Sequence, residues 1–150
     1  LPLAPTGDAP IERAAARAVA PELPSIAGVR VLVVDDELSA RQVATAILRR
    51  GGAVVLTAAS AEEAMQILGT LRPDVLVSDI EMPGEDGYAF IRRIRGLDAS
   101  EGGKTPAIAL TAYGRMEDRL RALSAGYSMH VPKPVDPVEL AAIIASLAGR

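Results

Sequence analysis

Cysteine is absent from this chain, and so is tryptophan. Without thiols there is no disulfide, no thiolate metal site and no cysteine nucleophile. Aromatic residues make up 3% of the chain, one Phe and three Tyr, so its core must be aliphatic. No apolar run approaches the roughly 20 residues of a membrane span. No basic segment leads into an apolar stretch, so a secretory leader is not expected. Sixteen Lys and Arg stand against 19 Asp and Glu, without a basic block or basic helix face. On that balance we expect no nucleic-acid partner and no direct membrane contact. The lack of thiols is compatible with a reducing, cytoplasmic setting.

What is present divides in two. Residues 1–28 are punctuated by Pro2, Pro5, Pro10, Pro21 and Pro24, with many alanines between them. This reads as a linker with a weakly packed helix over residues 11–20; a docked N-terminal helix is the alternative. The first residue is Leu1, so a fragment of a longer protein is expected. From residue 29 to 150 the pattern alternates. Short β-branched runs at 29–34, 53–57, 74–78, 106–111 and 129–132 predict five strands. Between them lie helical stripes. Ser60 to Glu63 has capping-box spacing, and Asp136-Pro137-Val-Glu139 supplies a cap, a first-turn proline and an acid. The first helix shows Val43, Ala44, Ile47 and Leu48 as its apolar face; the fourth shows Met116, Leu120 and Leu123. Five strands alternating with five helices predict an α/β fold: a doubly wound five-stranded parallel sheet. Its expected strand order is the flavodoxin-like 2-1-3-4-5.

Polar residues gather at the carboxyl ends of these strands: Asp35 and Asp36 after the first, Asp79 after the third, Thr111 after the fourth and Lys133 after the fifth. In that strand order the first and third strands are neighbours at the topological switch point, so the three aspartates share a crevice. Three carboxylates together disfavour their own ionisation. A hard divalent cation would relieve them, and carboxylate oxygens with water and phosphate suit Mg²⁺. Asp79 then reads as a nucleophile that forms an acyl phosphate. Lys133 would bring a point charge to a phosphoryl oxygen, and Thr111 a hydroxyl.

These motifs together, Asp35-Asp36, Asp79-Ile-Glu-Met-Pro83, Thr111-Ala112 and Lys133-Pro134, make residues 29–150 resemble the receiver domain of two-component response regulators. The resemblance implies that Asp79 takes a phosphoryl group from a phosphohistidine, on a histidine kinase dimerisation domain or a histidine phosphotransfer protein. It implies metal ligation by Asp36, Asp79 and the main-chain carbonyl of Glu81, with Asp35 acting through water. It implies a cis peptide between Lys133 and Pro134, and phosphorylation that switches a protein-binding face. Such a chain is not an enzyme beyond its own phosphorylation and dephosphorylation.

Receivers usually carry Phe or Tyr three residues before the lysine; here that residue is His130. Thr111, His130 and Tyr113 are the expected switch and output residues, with Tyr113 shielding the acyl phosphate. Each residue has a plain alternative: Asp35 or Asp36 as a helix cap, Asp79 as a turn aspartate, Thr111 as a strand residue, Lys133 as a solvated lysine and His130 as a structural histidine. The rival functions are a receiver-like docking module that is never phosphorylated, a free-standing single-domain regulator, and a small phosphohydrolase, for which the short connections leave no cap. Leu1-Pro-Leu3 and His130-Val-Pro-Lys-Pro-Val135 also resemble the junction and receiver of hybrid sensor kinases. A C-terminal receiver of a hybrid kinase, in some cases membrane-anchored, is therefore expected, without direct transcriptional control by this chain.

Overall fold

The structure is a computed structural model, and it describes residues 23–149. The expected helix over 11–20 and the Leu1-Pro-Leu3 stretch lie outside the described residues.

The strands are β1 (Arg30–Val34), β2 (Val54–Ala58), β3 (Val75–Asp79), β4 (Ala107–Thr111) and β5 (Met129–Pro132). The helices are α1 (Leu38–Arg50), α2 (Ala61–Leu71), α3 (Gly87–Arg95), α4 (Met116–Ala125) and α5 (Pro137–Leu147), with a 3₁₀ turn at Ala99–Glu101. All strand pairs are parallel, in the order β2-β1-β3-β4-β5. The flavodoxin-like order read from the sequence is therefore the order observed. β3 and β4 are buried along their whole length, as central strands covered on both faces must be.

One face of the sheet is covered by α2, α3 and α4, around Leu68, Phe90, Ile91 and Ile94. The other is covered by α1 and α5, around Leu48, Leu140 and Ile144. Local chemistry starts the helices as expected. Ser60 Oγ accepts from Glu63 N–H at 3.2 Å, although Glu63 reaches back to Ala59 N–H rather than to Ser60. Asp136 Oδ1 accepts from Val138 and Glu139 N–H.

Two readings need correction. Packed chain begins before residue 29: Ile26 is fully buried, its N–H donates to Gly51 O at 2.9 Å, and Gly28 N–H donates to Gly52 O. One large apolar residue among prolines and alanines carries no periodicity, so nothing local marked it. The apolar faces were also partly misassigned. Val43 is 59% exposed, and Met116, Leu120 and Leu123 are exposed on α4. α4 instead turns Ala122 and Ala125 inward, because small residues allow close approach to the sheet. Among the described residues, no helix is long and apolar enough to cross a membrane.

Candidate functional site

Strand register assembles the site. Val34 pairs with Ser78, so Asp35 and Asp79, one residue further along β1 and β3, stand side by side. Asp79 pairs with Leu110 and Thr111 with Pro132, so Thr111 and Lys133 each follow one step beyond their neighbour. Four separate strand ends thus rise around one crevice.

Carboxylate oxygens of Asp35, Asp36 and Asp79 all lie within 4.8 Å of one another. Asp35 and Asp79 are buried and Asp36 is exposed. Lys133 Nζ lies 3.4 Å from Asp35 Oδ2 and 3.3 Å from Asp79 Oδ1. Asp35 Oδ1 accepts from Glu37 N–H at 3.0 Å, and its main-chain carbonyl accepts from Arg41 Nη1 at 2.7 Å. The helix-cap alternative for Asp35 is not realised: Glu37 is the N-cap residue of α1, and no side chain caps that helix. Asp35 only closes the turn before α1, and its other oxygen faces Lys133. Glu81 is exposed, and its N–H donates to Asp79 Oδ1 at 3.3 Å. Asp79 Oδ2 has no hydrogen-bond partner among the described residues. The Lys133–Pro134 peptide is cis.

The charges are out of balance, with three carboxylates facing one ammonium. Burial pushes the Asp79 carboxyl above the usual carboxylate range; Lys133 pulls it back and Asp35 adds to the rise. Burial works to lower Lys133, but the Asp79 and Asp35 carboxylates outweigh it and hold the ammonium above its ordinary value. The two shifts differ in cause, burial for Asp79 and carboxylate attraction for Lys133, and the crevice keeps an excess of negative charge. That excess, with oxygen-only donors and an exposed side, is the chemistry of a hard divalent cation site. The residues present therefore fit Mg²⁺.

Thr111 is buried, and its hydroxyl donates to Tyr113 O at 2.7 Å while lying 2.5 Å from His130 Nε2. Neither partner belongs to the carboxylate cluster. Tyr113 is exposed, with the Arg115 guanidinium 4.9 Å from its ring centroid.

Sequence reasoning missed two residues that hold the site in place. Asp86 caps α3 by accepting from Ala89 N–H at 2.8 Å. Gly87 opens that helix so close to the end of β3 that a Cβ there would lie 2.7 Å from Asp79 O and from Ile80 Cα. Its N–H donates to Ile80 O and its carbonyl accepts from the buried Tyr127 hydroxyl, both at 2.8 Å. The Gly signal was visible in Asp86-Gly87, but it reads as a turn unless the proximity of the strand end is known.

A family model described as the response regulator receiver domain matches residues 31–145. The chain belongs to that family. Receiver domains are signalling modules of two-component systems. Among its relatives, an uncharacterized 14.6 kDa protein of Leptolyngbya boryana is 43% identical, over 80% of this chain and 90% of that one. The probable transcriptional regulator ycf27 of Cyanophora paradoxa is 40% identical, over 81% of this chain. A putative response regulator from Chloroflexus aurantiacus has a similar structure, with a TM-score of 0.77 and 32% identity over 82% of this receiver and 99% of that chain. So does the receiver of the sensor histidine kinase PA1611 from Pseudomonas aeruginosa, described with a magnesium ion coordinated in its active-site cleft. Its TM-score is 0.74, with 33% identity over 83% of this receiver and all of that chain.

The expectation of no nucleic-acid partner is corrected by these relatives. The receiver spans about half the length of the ycf27 proteins, which are named as transcriptional regulators. Surface charge speaks only for the segment that carries it. A segment without a basic patch says nothing about nucleic-acid output elsewhere in a longer protein.

Proposed function

We propose that this receiver accepts a phosphoryl group on Asp79 from a partner phosphohistidine and reports it through the Thr111 flank of the domain. The observation that carries this reading is Asp79 itself: a buried carboxylate with one oxygen held by Lys133 and the Glu81 N–H, and the other without a partner. Asp79 Oδ2 attacks phosphorus. The new O–P bond forms as the P–N bond to the donor imidazole breaks, and the electron pair stays on that nitrogen, which takes up a proton. Lys133, already between Asp35 and Asp79, follows the charge onto a phosphoryl oxygen. Thr111 gives up its present partners and donates to another.

Asp36 and Asp79 with the Glu81 carbonyl, and Asp35 through water, would hold Mg²⁺, which when bound neutralises charge on the phosphoryl oxygens. An apolar groove of about 300 Å³ runs beside Asp35 and Lys133, lined by Val43, Ala44, Ile47 and Val135 among others. It offers a docking place for the helix that carries the donor histidine. Likeness to the PA1611 receiver, part of a sensor histidine kinase, supports a host protein of the hybrid-kinase kind. The ycf27 relatives support a transcriptional regulator as host.

The test is intact mass after incubation with acetyl phosphate and Mg²⁺, beside Asp79→Asn and an EDTA control. One phosphoryl adduct, absent in both controls, is expected. An adduct that persists in Asp79→Asn would overturn the assignment of the acceptor.

A further inference from the structure

The Thr111 hydroxyl has one proton and two close neighbours. The Tyr113 carbonyl can only accept, so the proton is donated there, across 2.7 Å. Towards His130, 2.5 Å away, the same oxygen must accept, and Nε2 must carry a hydrogen. Neutral imidazole satisfies this only in its Nε2–H tautomer. Ala109 pairs with His130 and Thr111 with Pro132 across β4 and β5, so the two side chains meet diagonally on adjacent strands. Thr111 is buried and His130 half-buried, which shelters the bond from competing water.

We propose that His130 is a positioning residue: its Nε2–H latches the Thr111 hydroxyl outward in the unphosphorylated protein. The proposal rests on the reading that Thr111 turns to a phosphoryl oxygen, and it adds what holds Thr111 back. A phenyl ring at this position fills space but donates nothing. An imidazole adds a directional bond that must break before Thr111 can turn. The ring then has room to move, because His130 lines a cavity of about 360 Å³ with Gly114, Arg119, Leu123 and Pro132. One net hydrogen bond shifts the ratio of the two Thr111 positions about threefold to tenfold.

The single histidine makes its imidazole an unambiguous NMR probe. In the ¹⁵N-labelled full chain without Mg²⁺, well above the ordinary imidazole range of about pH 6.5, the Nε2–H tautomer is expected. The Nδ1–H tautomer would overturn the latch. In a second measurement, His130→Leu takes the phosphoryl group from acetyl phosphate about threefold to tenfold faster than the unaltered chain. His130→Gln, whose amide N–H restores a donor, returns towards the original rate. Equal rates for the Leu and Gln variants would also overturn it. Failure of the unaltered chain to be modified at Asp79 would defeat the reading of the site while leaving the tautomer to decide the latch. Modification with an Nδ1–H ring would defeat the latch alone.

Discussion

Helices α3 and α4 lie on the same face of the sheet and are held there very differently. α3 buries Gly87, Tyr88, Phe90, Ile91 and Ile94, and its Asp86 cap is satisfied. At its far end Arg95 donates to the carbonyls of Gly126, Gly103 and Thr105. α4 buries only Ala122 and Ala125 and begins without a side-chain cap. Its large residues Met116, Leu120 and Leu123 face outward. The anchored helix stands behind Asp79, and the lightly held one flanks Thr111 and His130. A reacting carboxylate needs a fixed backbone, whereas an element that must respond has to cost little to move. Under the proposed function, adjacent helices would take these two tasks.

The contrast can be broken most directly by core truncation. Phe90→Ala on α3 should cost about 3–5 kcal/mol, and Leu120→Ala on α4 less than about 0.5 kcal/mol. Both are read from urea unfolding at equal m-value, and similar losses would refute the difference in anchoring. Next is the start of α3. Gly87→Ala should cost about 1–3 kcal/mol, because its Cβ meets the β3 backbone, and it should slow modification of Asp79. Gly69→Ala on α2, where a Cβ meets nothing within 4 Å, should stabilise by about 0.5–1 kcal/mol.

Arg95→Ala leaves three carbonyls without this donor and should cost roughly 1–3 kcal/mol. The smallest shift is expected at Asp79. Its carboxyl is raised by burial, so ionisation costs stability as pH rises through its folded value. Asp79→Asn should therefore raise the melting temperature modestly at neutral pH without Mg²⁺. That gain should fade as pH falls below the ordinary carboxylate range, where the unaltered protein is neutral at this position too. A lower melting temperature at neutral pH would mean that the attraction of Lys133 outweighs burial.

Much of the site was legible because its residues end strands. β-branched runs closing on Asp35, Asp79 and Thr111 locate themselves by period and by the turn signals that follow. Once the strand order is granted, their meeting follows. α4 was not legible in the same way. Met116, Leu120 and Leu123 have helical spacing, and spacing cannot distinguish a face turned to the sheet from one turned to water. Ala122 and Ala125, which do face the sheet, carry too little hydrophobic signal to stand out. Ile26 and Gly87 were missed for a related reason: each matters through a contact with a residue distant in the chain.

The sequence by itself determined the alternation of strands and helices, the absence of thiol chemistry and the identity of the acidic, hydroxyl and ammonium groups at the strand ends. These are local properties of composition and period. Tertiary structure alone decided that Lys133 lies between Asp35 and Asp79, that Gly87 lets α3 start against the β3 backbone, and that the proton of Thr111 points to Tyr113 with His130 behind it. Lys133 with Asp35 and Asp79, and Thr111 with His130, lie far apart in the chain, and only the register of the folded sheet brings them together. The contacts of Gly87 and Tyr113 depend instead on how the chain turns after a strand end.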